Sequence, residues 1–101
     1  MSARIRVPKR RVAAFCQKHR IRRLSLFGSV LRDDFGPESD VDVLVEFWPG
    51  VRFGYLGLGE MEVELGEILG RRADIHAPQW LKPWVRDEVL DTAEMIHESS
   101  Q

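Results

Sequence analysis

The chain has one cysteine, Cys16, so it can form neither an internal disulfide nor a thiolate metal cluster. Its apolar runs fall short of the ~20 residues that a membrane span needs. The basic N-terminus is followed by no apolar core of a secretory signal, so a cytoplasmic protein is expected. No Gly-Lys-Ser/Thr ending exists for a P-loop. Calcium-loop chemistry is disfavoured, because Val41 and Val43 alternate with the acids. Internal repeats, low-complexity tracts and linkers are also missing.

Acidic residues are absent from the first third. Nine of the fifteen Lys and Arg lie between Arg4 and Arg23, and the first acid is Asp33, although the net charge is only -1. This basic third suits either a nucleic acid or acidic partner, or a solvated helix face. With 101 residues the chain reads as one domain, residues 1–101, able to bury ~60–65% of the surface its unfolded form exposes.

What is present begins with Pro8 at a helix start and Val12, Phe15, Cys16 and His19 at helical spacing, predicting a helix from about Pro8 to Arg20. Leu24 to Phe27 ends a buried strand that begins near Ile21, and Gly28 closes it. Ser29 is placed to N-cap a short helix from Val30 to about Asp34. After the turn Phe35 to Ser39, Val41 to Phe47 reads as a strand, with Val41, Val43, Val45 and Phe47 on one face and Asp42, Leu44 and Glu46 on the other.

A glycine-rich connection leads to a helix carrying the stripe Leu58, Met61, Leu65 and Ile68, with Gly70 as its C-cap and Glu60, Glu62 and Glu64 on its wet side. Arg72 to His76 is a short strand. Trp80, Leu81, Trp84, Val85 and Val89 supply the apolar face of a last helix, with both tryptophans read as core and Pro83 in the first turn. Ala93 to His97 is either the end of that helix or an edge strand. The order α-β-α-β-α-β-α implies an α/β (α+β) layer with a small mixed sheet, in which a right-handed crossover makes the second and third strands parallel neighbours.

Residues two apart on a strand point to the same side, so Asp40 and Asp42 can aim at a common volume if Asp40 begins the strand. Two hard oxygen ligands suit Mg²⁺ or Mn²⁺ bound together with substrate phosphates. Gly28 permits close backbone approach, and Ser29 with free N–H groups at a helix start makes an anion site. A bare Asp-x-Asp also fits a turn that Asp40 merely closes.

Gly28-Ser29, ten residues, then Asp40-x-Asp42 resembles the signature of the DNA polymerase β-like nucleotidyltransferases. The wider pattern Phe27 to Phe35 with Ser39 to Phe47, and Glu64 to Arg72 with the acid that follows, resembles the minimal nucleotidyltransferases, of which MntA-like antitoxins are members. The similarity runs from about Leu24 to Asp91, with the catalytic core at about 21–91 behind the basic helix at about 8–20.

This resemblance implies the polymerase β-like fold and catalysis by Asp40, Asp42 and Asp74, with Asp74 as general base. It also implies two Mg²⁺ ions ~3.5–4 Å apart, with Mn²⁺ as alternative, and ATP held by Gly28, Ser29 and Arg32. The family activity is transfer of AMP from ATP to a tyrosine of a partner HEPN-domain ribonuclease toxin. Two alternatives stay open: an antitoxin that only binds its partner, and a nucleic-acid-binding or RNA-modifying enzyme that uses the basic third.

Two residues depart from the family pattern. Arg32 is followed by Asp33 where glycine is usual, which leaves a triphosphate contact for the arginine unassigned. His76 stands two residues beyond Asp74, where an aliphatic residue is expected. It reads as a surface histidine or as a group approaching the nucleotide or metal.

Overall fold

The computed structural model describes residues 5–52 and 55–99, with the backbone alone for residue 55. Arg4 of the basic third and Gly54 of the glycine-rich connection lie outside the described residues. Helix α1 spans Lys9–Lys18, with Pro8 at its N-cap, and buries Val12, Phe15 and Cys16. Strand β1 follows at Ile21–Phe27, then β2 at Val41–Phe47, helix α2 at Tyr55–Leu69, β3 at Ala73–His76, α3 at Pro83–Thr92 and β4 at Glu94–Glu98.

The sheet order is β3-β2-β1-β4. β1 is antiparallel to both neighbours, whereas β2 and β3 are parallel. The parallel pair is the expected one: α2 is the crossover that lets β3 return beside β2 in the same direction. Ala93 begins no continuation of the helix, because its ψ of 144° is extended and β4 pairs with β1. The expected order therefore gains a fourth strand.

Strand alternation gives the sheet two unlike faces. Leu24, Leu26, Val41, Val43, Val45, Ala73 and Ile75 point to the face covered by α1 and α2, where they meet Phe15, Cys16, Met61 and Leu65 in the main core. Phe27, Asp42, Asp74 and His76 occupy the other face, as the pairings Phe27↔Asp42, Asp42↔Asp74 and Leu44↔His76 require. Leu44 and Ser25 on that face are buried as well. One side of the sheet is thus scaffold, and the other carries the chemistry.

Three expectations need correction. Trp80 and Trp84 are not core: they are 47% and 70% exposed, and Val89 is the buried residue of α3. Trp80 lies in a separate 3-10 turn, Pro78–Trp80, so the two indoles do not share a helix face. Glu62 and Glu64 are not idle on the wet side. Glu62 Oε2 accepts the Ile75 backbone N–H at 2.7 Å, and Glu64 Oε1 lies 3.1 Å from Lys18 Nζ and 3.0 Å from His19 Nε2. No helix among the described residues is long and apolar enough to cross a membrane.

Candidate active site

The site is assembled at the start of β2. Gly28 follows the last residue of β1 with φ +76°, a conformation that favours glycine. A Cβ added there would lie 2.5 Å from Asp42 Oδ2, so the missing side chain is also the space that the Asp42 carboxylate occupies. Gly28–Leu31 forms a 3-10 turn rather than the expected helix beginning at Val30. Ser29 is therefore not its N-cap: Phe27 holds that position, and no side chain caps the turn. The Ser29 carbonyl accepts the Arg32 N–H at 2.9 Å, which closes the turn.

The parallel register sets Asp42 directly beside Asp74. His76 reaches the same volume from two residues further along β3. Its Nε2 lies 3.6 Å from Asp42 Oδ1 and 3.4 Å from Asp74 Oδ2. One ligand atom from each of the three residues lies within 4.8 Å of the others. The Phe27 ring meets the imidazole edge-on, with centroids 5.3 Å apart. Asp42, followed by Asp74, raises the His76 pKa above its ordinary value, and burial opposes the rise.

Asp40 does not join that group of three. It is exposed and precedes β2 rather than beginning it. Arg32 is also exposed, with its Nε on Asp34 Oδ1 at 3.2 Å. The structure thus brings Asp42, Asp74 and Gly28 together, leaves Asp40 and Arg32 on the adjoining loop, and adds His76.

Arg71 is a residue that sequence reasoning left without a role. Its guanidinium stacks over the Phe35 ring at 4.3 Å, and its Nη2 donates to the carbonyl oxygens of Gly36 and, at 3.1 Å, Ser39. Arg72 adds a backbone tie, its carbonyl accepting the Val41 N–H at 2.8 Å. The loop that ends in Asp40 is therefore fastened to the α2–β3 connection. The only sequence trace of this was the Arg-Arg pair before Asp74.

Hard carboxylate oxygens and an imidazole nitrogen on one face form a donor set that fits a divalent cation. The sequence pattern of the family described as "Nucleotidyltransferase domain" matches residues 9–98. The chain is a member of that family. A relative from Methanocaldococcus jannaschii, named "Putative protein adenylyltransferase", is 35% identical over 85 residues, 84% of this chain and 89% of its own length. A second protein of that organism with the same descriptive name is 30% identical over 72% of this chain and 74% of its own.

Among solved structures, one described as "Structure of putative minimal nucleotidyltransferase" superposes with a TM-score of 0.68 at 34% identity, covering 88% of this chain and 87% of that one. Another, described as a toxin-antitoxin with AMP-PNP, reaches a TM-score of 0.73, covering 94% of this chain and 77% of that one. At 14% identity it shows the shared fold. The resemblance to minimal nucleotidyltransferases thus holds, and this nucleotidyltransferase carries its acids on the open face of the fold.

Proposed function

We propose that this nucleotidyltransferase transfers AMP from ATP to a tyrosine hydroxyl of a partner HEPN-domain ribonuclease toxin, and so acts as an antitoxin in the cytoplasm. The observation that carries the reading is the Asp42↔Asp74 register beside Gly28, which puts two carboxylates and a side-chain-free backbone on one open face. The adenylyltransferase names of its relatives and the toxin-antitoxin neighbours support the choice of reaction and partner.

In this reading Gly28 and Ser29 receive the phosphate chain of ATP, and Arg32 contacts the triphosphate from the adjoining loop. Asp40, Asp42 and Asp74 would hold the metal, Mg²⁺ or Mn²⁺, which when bound would supply neutralisation of phosphate charge and a lowered pKa for the attacking hydroxyl. Asp74 takes the tyrosine proton as general base. The tyrosine oxygen bonds to the α-phosphorus, the bond from that phosphorus to the bridging oxygen breaks, and pyrophosphate leaves. Positioning and charge neutralisation carry most of the acceleration. The loop fastened by Arg71 keeps Asp40 at the rim of the site.

The test is incubation of the chain with labelled ATP, Mg²⁺ and the protein encoded beside it. Wild type is expected to label that protein on tyrosine, and Asp42→Asn to lose the label. Neutralisation without any label would instead assign an antitoxin that works by binding. Label on RNA would assign an RNA nucleotidyltransferase.

A further inference from the structure

The reaction above leaves His76 without a task, yet its surroundings are specific. Nε2 is buried and has no hydrogen-bond partner among the described residues, although two carboxylate oxygens lie at 3.4 and 3.6 Å. These separations exceed the ~2.7–3.2 Å of a good N–H···O bond. A buried polar atom without a hydrogen bond calls for an explanation, and an ion is one of the recognised ones.

The spacing has room for one. Atoms bound ~2.1 Å from a common ion stand ~3.0 Å apart at right angles and ~3.4 Å apart at tetrahedral angles. The contacts of Nε2 with Asp74 Oδ2 and Asp42 Oδ1 are close to the upper of these spacings. The packing of Phe27 against the ring favours the orientation that aims Nε2 at the acids. Mg²⁺ sites are built from oxygen, whereas imidazole nitrogen suits first-row transition ions.

We infer that His76 is a metal ligand, completing with Asp42 and Asp74 a mixed nitrogen and oxygen centre that selects a first-row transition ion of the Mn²⁺ kind over Mg²⁺. The inference rests on the metal-dependent reading above and deepens it by naming the ion class. It also separates this chain from an all-carboxylate site, because the selective ligand is the residue that departs from the family pattern.

The experiment uses Mn²⁺ alone with the full chain. Free Mn²⁺ is counted by EPR, Mg²⁺ is added as competitor, and pulsed EPR reads nitrogen coupling to the bound ion. Wild type is expected to show imidazole coupling and to prefer Mn²⁺ over Mg²⁺ by about tenfold or more. His76→Ala and His76→Gln, verified as folded by circular dichroism, are expected to keep a weaker Mn²⁺ site, lose the coupling and narrow the preference several-fold. Bound Mn²⁺ without nitrogen coupling in wild type, or a preference unchanged in both variants, would overturn the role of His76 and leave the carboxylate site standing. Failure of wild type to bind Mn²⁺ at all would overturn both the role and the metal-dependent reading.

Discussion

At the scale of single residues, Gly28 shows how closely backbone and chemistry are coupled here. Gly28→Ala places a methyl group against Asp42 Oδ2 on a backbone of φ +76°. It should cost ~1–2 kcal/mol by thermal or denaturant unfolding and displace the carboxylate, so activity should fall far more than stability. Arg20 offers the reverse case, a non-glycine residue at φ 57° just after the C-cap of α1. Arg20→Gly should raise stability by ~0.5–1 kcal/mol, a gain of a few degrees in Tm. Cys16 is fully buried and burial pushes its thiol up to about 12, so a thiol reagent should label it only at the rate of unfolding. Gly28, Asp40 and Asp42 could be picked out of the sequence because their types and spacing are unusual together. The burial of His76 Nε2 could not, since it depends on a cross-strand register and on the Phe27 ring.

At the scale of elements, the α2–β3 connection does more than link a helix to a strand. Arg71 ties down the turn through Gly36 and Ser39, and that turn delivers Asp40. Arg71→Ala should speed amide exchange at Gly36, Glu38 and Ser39 and weaken Mn²⁺ binding while moving global Tm little, which hydrogen exchange and EPR titration can check together. Glu62 performs a related task at the sheet edge by accepting the Ile75 N–H, which the pairing with β2 leaves pointing outward. Strand periodicity and the crossover rule were enough to expect β2 and β3 as parallel neighbours. They could not distinguish a wet glutamate from one that closes an edge, because both sit on the polar side of the same helix.

At the scale of the molecule, α1 carries its basic residues behind the sheet, whereas Asp42 and Asp74 open on the opposite face. The Glu64 carboxyl ties α2 to the end of α1: His19 first, and then Lys18, hold it below its ordinary range. A depressed carboxyl contributes stability in full above the unfolded glutamate pKa of about 4.3, and loses it as pH falls through the lower folded value. The stability gap between wild type and Glu64→Gln should therefore close on acidification below about pH 4.3, as denaturant titrations across that range would show. Amphipathic spacing on α1 and α2 made the main core legible from sequence. The same reasoning failed in part on the last helix: Trp84 and Val85 of α3 face solvent, Trp80 falls in the 3-10 turn before it, and Val89 is the member of that stripe that is buried.

That failure has a thermodynamic meaning. A ten-residue helix is marginal on its own in water, and α3 has Val89 as its buried anchor. It should behave as an ordered loop closed at both ends by the sheet, opening and exchanging its amides through local unfolding well before β1 and β2 do. Because the four strands pair without it, replacing residues 82–92 with a flexible linker of equal length should leave the sheet folded and expose the small patch beneath Val89.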